Sequence, residues 1–389
     1  MKIALIQDDI YLPSFGGGTK ANRCLLEGLA RHGHECLVLS RALTRSSEGP
    51  GNMQQFADEM DARGLVFQEL EPNVFSYRYQ GVQVEALNFS APDGQRDYLV
   101  RRLRAMEPDW IFVTDDKRRI MLCAAMDAAP SRVILLLQTI IQLPFGPLSV
   151  DRNPEYTQLV KSARAIIVIS DFMKSYIRDY GGLEAHLLQL PVYGAGPFPD
   201  LSGFDRGFVT MINPCELKGV SIFTGLVREF PNVEFAAVPT WGADDELVIR
   251  LRQLPNVRIL KPANDVEEIL AQTRILLVPS LWPETFGYVV PEAMLRGIPV
   301  LASDIGGLPE AKLGVDYLLP VLPGEFRKDG FVSPTQDLLP WSQALAELLS
   351  DEDTYRQCSQ QSRRAAHDFV AGVSVSGFEA LMGQLGAGD

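Results

Sequence analysis

Residues 278–310 read VPSLWPETFGYVVPEAMLRGIPVLASDIGGLPE, a strand exit, a loop and a helix in close succession. A short apolar strand ends at Pro279, and Glu284, Thr285, Phe286 and Gly287 form the loop after it. A helix then runs to about Arg296, where Gly297 closes it. Pro291 fits a helix only in its first turn, which sets the start near Tyr288. The unpaired amides of that turn, with the positive end of the helix dipole behind them, suit a diphosphate. Glu284 and Glu292 flank this point. A carboxylate beside a phosphate is repelled unless hydroxyls donate to it. From this spacing Glu292 could reach a ribose diol and Glu284 the hydroxyls of a sugar. Each glutamate taken singly also reads as a helix-start preference that complements the dipole.

Outward from this stretch, short β-branched runs alternate with amphipathic segments, the pattern of βαβ units on a parallel sheet. Strands are expected at 3–7, 36–40, 110–114, 133–137 and 165–169, and a first helix over about 19–32. Residues 74–89 alternate with period two around Gln80–Gly81 and read as an inserted hairpin. The Gly- and Pro-rich stretch 190–207 reads as linker and hinge. The alternation then restarts, with strands near 208–212, 233–238, 257–260, 275–279 and 298–302 and a helical tail from about 337 carrying Trp341, Leu345, Leu348 and Leu349. The expected organisation is α/β, with two Rossmann-like domains, 1–195 and 196–365, facing across a cleft. A C-terminal helix, 366–389, is expected to pack back on the first. Ligands of open α/β sheets sit outside the carboxyl ends of the strands.

The chain has 389 residues, enough for about two cores. Its formal charge is −13, and the imbalance is uneven: residues 1–195 hold 21 basic and 23 acidic side chains, residues 196–389 hold 15 and 26. Such a chain repels nucleic-acid backbones and anionic lipid, so neither is an expected partner. No apolar run reaches the roughly 20 residues of a membrane span, and the start MKIALIQDD turns acidic before a secretory core could form, so a cytoplasmic protein is expected. Peripheral membrane contact is not favoured. Five scattered cysteines without a C-x-x-C pair fit reduced thiols and argue against structural zinc. His32 and His34, around Gly33, read as a helix end rather than a metal site, and no metal is expected. The basic runs Arg101–Arg102–Arg104 and Lys117–Arg118–Arg119 read as solvated helix faces, with a local phosphate site as the alternative.

Residues 278–310 resemble the signature of the family 4 retaining glycosyltransferases of the GT-B fold, in which one Glu is followed after seven residues by a second. It stands here as Pro279, Ser280, Glu284, Phe286, Gly287, Glu292, Ala293, Met294, Gly297, Pro299 and Val300, interrupted only by extra length at Leu281–Pro283. GGGTKAN near the N-terminus and Ser303–Asp304, Gly306–Gly307 and Glu310 extend the likeness. The resemblance implies a hexosyltransferase that moves a sugar from a nucleotide diphosphate sugar, UDP-linked in preference to GDP-linked, to a small-molecule or glycan hydroxyl acceptor, with no resident cofactor. It implies Glu292 on the ribose, Glu284 on the donor sugar, and amides of Phe286, Gly287, Tyr288 and Val289 on the sugar and diphosphate. It further implies Lys218 on the phosphates, the base near Leu260 and Pro262, and the glycine loop Gly16, Gly17 and Gly18 approaching the donor.

The sequence departs from that pattern twice. Asn213 stands where the family carries a phosphate-binding Arg five residues before Lys218, and Gln138 stands where many relatives carry a His near the reacting carbon. Gln138 is therefore kept as a candidate catalytic residue beside Glu284 and Lys218, and the leaving diphosphate itself can take the acceptor's proton. Asp115, Asp116 and Asp171 are candidates for the acceptor side or, equally, strand-end and cap residues. The least patterned loops, 41–63 and 139–155, are expected to form the acceptor pocket, with 41–63 as a flap. Two other readings compete: a weakly active sugar-nucleotide-binding regulator of the same fold, and an NADP-dependent oxidoreductase using Ser40–Arg41.

Overall fold

The computed structural model describes residues 1–14, 16–43, 53–89, 91–114, 116, 118–263, 265–328 and 330–387. The chain forms two compact units, Met1–Val192 with Ser374–Asp389, and Tyr193–Val373.

The first unit is built on nine strands: β1 (Lys2–Ile10), β2 (Glu35–Arg41), β3 (Phe67–Glu71), β4 (Val74–Tyr79), β5 (Val82–Leu87), β6 (Trp110–Thr114), β7 (Val133–Leu137), β8 (Ala165–Val168) and β9 (His186–Leu187). Their order is β3-β4-β5-β2-β1-β6-β7-β8-β9, so the winding reverses between β1 and β6. The expected hairpin is present. Gln80 and Gly81 both have positive φ, the conformation that a two-residue hairpin turn requires, and β4 and β5 pair antiparallel on either side. β3 went unread because FQELE is largely exposed and acidic, as an edge strand that must not recruit another chain tends to be. The expected flap is partly a helix, Met53–Asp61, with Phe56 and Met60 buried and Phe56 packed on the rings of Phe67, Phe75 and Tyr77; residues 44–52 lie outside the described residues.

The second unit carries β10 (Phe208–Ile212), β11 (Phe235–Val238), β12 (Val257–Ile259), β13 (Thr273–Val278), β14 (Val300–Ser303) and β15 (Leu318–Leu319) in the parallel order β12-β11-β10-β13-β14-β15, with a separate hairpin of β16 (Glu325–Arg327) and β17 (Gly330–Val332). Here the winding reverses between β10 and β13. β14 starts two residues later than its apolar run suggests. Gly297, at φ +72, donates to the Met294 carbonyl while Ile298 donates to that of Ala293, a Schellman closure that keeps both residues with the helix Val289–Leu295. In the helix Leu339–Ser350, Trp341, Leu345 and Leu348 are buried, as their spacing requires.

The stretch expected as linker and hinge, 190–207, is pinned over residues 198–203. Leu201 N–H donates to the Arg296 carbonyl, Gly203 N–H to the Tyr355 hydroxyl, and Arg363 bonds both Asp200 and the Phe198 carbonyl. All of these partners belong to the second unit, so residues 198–203 are part of its wall. Among the described residues no helix is long and apolar enough to cross a membrane.

Candidate functional site

The carboxyl ends of β10 and β13, where the winding of the second unit reverses, are where an open parallel sheet leaves a crevice for ligands. β10 is followed by Asn213, then by a 3-10 turn, Glu216–Lys218, and by Gly219 at φ +78. β13 is followed by Pro279 and Ser280. The two exits are stitched together: Leu281 and Trp282 N–H both donate to the Leu217 carbonyl. A Cβ at Gly219 would lie 1.8 Å from the Pro279 carbonyl oxygen, so only glycine lets the loops meet.

This stitching brings Lys218 to Glu284. The Lys218 ammonium forms an ion pair with Glu284 Oε1, and the Ser280 hydroxyl donates to the same oxygen at 2.6 Å. Both charged side chains keep some exposure, 26% for Lys218 and 17% for Glu284. Glu284 is fixed from behind by its backbone. Gly307 N–H donates to its carbonyl at 2.7 Å, and a Cβ on Gly306 or Gly307 would run into the backbone of Glu284 and Thr285. The glycine pair of 303–310 thus acts as a close-fitting backing for the carboxylate loop.

Beyond Glu284 the chain drops inward. Phe286 is buried and stacks on Phe369 with centroids 5.8 Å apart, while Gly287 turns at φ +100 beneath Leu308. Tyr288 precedes the first turn of the helix Val289–Leu295, in which Pro291 is third and needs no amide partner. Glu292, one turn in, is buried, and Arg296 donates to its carbonyl and pairs with Glu267. Tyr193 rests on Tyr288 and Phe369; burial first, then the neighbouring Tyr288 and Glu292, push its phenol well above its ordinary range. Leu260, at the end of β12, donates to the Ala237 carbonyl and is half-buried, and Pro262 is exposed. Lys218, Ser280, Glu284, Phe286, Gly287, Tyr288, Val289 and Glu292 therefore lie on two adjoining loops and one helix start. Leu260 and Pro262 belong to the neighbouring strand end.

The candidates of the first unit have different surroundings. Gly16 precedes the helix Gly17–Arg31, and Gly18 packs on the Gln138 amide. Gln138 is buried; its Nε2 donates to Asn22 Oδ1 at 2.6 Å and to the Gly18 carbonyl at 3.5 Å, and Asn22 donates to Gln7. The arrangement is an amide chain that holds the glycine turn. Asp116 accepts from Met121 N–H, Leu122 N–H and the Tyr156 hydroxyl, the bonds of a helix cap. Burial raises its carboxyl pKa while those bonds oppose the shift. Asp171 opens the helix Asp171–Tyr176, which Ser170 caps. Asp115 and Lys117 lie outside the described residues. Arg118 is not on a solvated helix face: it grips the buried Asp8 carboxylate, which Arg41 also meets at 3.5 Å. Arg41 is thereby engaged within the unit, donating also to the Leu43 carbonyl.

Sequence reasoning left out Ser280 as a carboxylate partner, and the rings of Tyr193 and Phe369. Ser280 stood inside the quoted motif, and only the fold shows its bond. Phe369 lies 83 positions from Phe286, and nothing local connects them.

Residues 207–351 match the family model described as glycosyl transferases group 1. The chain is 25% identical over 302 residues to an exopolysaccharide phosphotransferase of Streptomyces coelicolor, covering 73% of this chain and 29% of that protein. It is 30% identical over 140 residues to a D-inositol 3-phosphate glycosyltransferase of Corynebacterium diphtheriae, covering 36% and 30%. The matched stretches thus span under a third of these curated relatives. Among solved structures, sucrose-phosphate synthase from Thermosynechococcus elongatus superposes with a TM-score of 0.71 at 17% identity, over 100% of both chains. HepE from Anabaena in complex with UDP-glucose does so with 0.65 at 17%, also over 100% of both. This chain has the GT-B fold, and its residues 207–351 are similar to the glycosyl transferases group 1 family.

Proposed function

We propose that this chain is a retaining, metal-independent glycosyltransferase that takes a sugar from a nucleotide diphosphate sugar, UDP-linked in preference to GDP-linked, and passes it to a hydroxyl acceptor. The observation that carries this reading is the convergence of Lys218, Ser280 and Glu284 at the switch point between β10 and β13, beside the helix start at Tyr288. HepE, a structure of the same fold, holds UDP-glucose, which supports a nucleotide sugar as donor.

Lys218 is held by Glu284 until an anion arrives. A bound diphosphate competes for the ammonium and gains a full positive charge where negative charge develops as the glycosidic bond breaks. Glu284, released from Lys218, keeps the Ser280 bond and accepts from hydroxyls of the sugar, fixing the ring for reaction. Amides at Phe286–Val289 add donors, and Glu292 holds the ribose. In the first unit Gln138 acts as a positioning residue, since its amide is spent on Asn22 and Gly18. The leaving diphosphate takes the acceptor's proton, so no protein base is required.

Donor hydrolysis and thermal shift with UDP-glucose and GDP-mannose test the reading on wild-type, Lys218→Ala and Glu284→Gln proteins. The expected outcome is a stabilising shift in the wild type, as mass action requires. Turnover should fall by about 100-fold or more in each variant, the size of loss known when a transition-state donor or a substrate-positioning group is removed. Equal turnover in all three proteins would overturn it. A shift without turnover in the wild type would favour a sugar-nucleotide-binding regulator, which the uncharged Asn213 would suit.

A further inference from the structure

The most exposed tryptophan of the second unit is Trp241, 66% exposed in the turn Thr240–Ala243 that follows β11. β11 lies between β10 and β12, so its carboxyl end stands between the loop carrying Lys218 and the Leu260–Pro262 strand end. The turn is fixed from below. Gly242 N–H donates to Asn213 Oδ1 at 2.9 Å, and a Cβ on Gly242 would lie 2.8 Å from Cys215 Sγ. Cys215 in turn accepts from Lys218 N–H. Gly242, the neighbour of Trp241 in the chain, thus packs against the turn that presents Lys218.

Asn213 carries two further oddities. Its backbone is left-handed, at φ +59, and its buried Nδ2 has no hydrogen-bond partner among the described residues. A buried donor without a partner is unfavourable and calls for an explanation. The side chain at this position does not reach outward as a charge. It clamps the turn that carries Trp241.

We propose that Trp241, held on the turn that Asn213 clamps, is the stacking surface for the nucleobase of the donor. This rests on the function proposed above and adds to it the residue that grips the base. An indole face accepts any base, and stacking on an aromatic side chain is typically worth about 1–3 kcal/mol, or roughly 5- to 150-fold in affinity.

The test is titration of the full chain with UDP, GDP and inorganic diphosphate, read by calorimetry and by tryptophan emission, for wild type, Trp241→Phe and Trp241→Ala. UDP and GDP are expected to quench emission of the wild type. Trp241→Phe should lose that quench while keeping affinity within about 3-fold. Trp241→Ala should bind both nucleotides about 10-fold or more weakly, with diphosphate binding unchanged. Nucleotide affinity within 2-fold of wild type in Trp241→Ala, with the quench retained, would overturn the assignment and leave the glycosyltransferase reading standing. Failure of the wild type to bind any nucleotide would overturn both.

Discussion

At the scale of single residues, burial acts strongly on a lysine of the second unit. Lys312 is fully buried, its Nζ donating to the Val300 carbonyl at 2.6 Å. Burial pushes its pKa down to about 8, with Cys358 and Asp316 pulling the other way. An unfolded lysine holds its proton up to about pH 10.4. Between these values the unfolded chain binds more protons, so the folded state gains stability as pH rises from about 8 toward 10.4. Below about 8 both states are charged and the penalty is fully present. Lys312→Met keeps the apolar stem and removes the charge, leaving the Val300 carbonyl unpaired. The two effects oppose each other at about 1–3 kcal/mol each. The variant should therefore lie near or slightly above wild-type stability at pH 7. Its advantage should vanish by about pH 10.5, as measured by urea midpoints across that range. An advantage that does not change with pH would show that the amine is solvated after all.

At the scale of elements, the strands and the helix start were legible because hydrophobic period and turn chemistry agree there. Gly81, Pro291 and Gly297 each sit where local sterics leave few alternatives. What stayed hidden depends on distant partners: the Lys218–Glu284 pair, the Ser280 bond, the amide chain through Gln138, and Arg118 on Asp8 rather than in solvent. Composition cannot tell an arginine on water from one on a buried carboxylate. The same lesson applies to glycines. Gly219 and Gly33 share a left-handed backbone, at φ +78 and +87, yet a Cβ at Gly33 meets nothing within 4 Å. Gly33→Ala should cost only the conformational term, about 1–2 kcal/mol. Gly219→Ala adds a collision with the Pro279 carbonyl and should cost about 3 kcal/mol or more. It should also lower turnover, because it forces apart the loops that carry Lys218 and Glu284. Chemical denaturation of both variants checks the contrast, and equal losses would refute it.

At the scale of the whole chain, the first unit is completed by residues that come after the second. The helix Ser376–Gly386 belongs to the first unit, and Val375, Phe378, Leu381 and Met382 are buried. Phe378 packs edge-on to Phe112, and Val375 lies against Gly28 so closely that a Cβ there would come within 2.6 Å. Glu379 meets His34 at 2.8 Å and His32 at 3.1 Å, and these bonds outweigh partial burial to hold its carboxyl below the usual range. The sequence offered the histidines as a helix end and gave no sign of their partner 345 positions away. Four buried apolar side chains, at about 1.5–3 kcal/mol each, approach the whole stability of an ordinary domain. A chain ending at Val373 should therefore lose hydrogen-exchange protection in β1, β2 and β6 while β10, β11, β13 and β14 keep theirs, since each unit has its own core. A synthetic peptide of residues 374–387 added in excess should restore protection to the first set. Protection of β1 and β6 in the truncated chain without the peptide would show that the returning helix covers a core already able to stand alone.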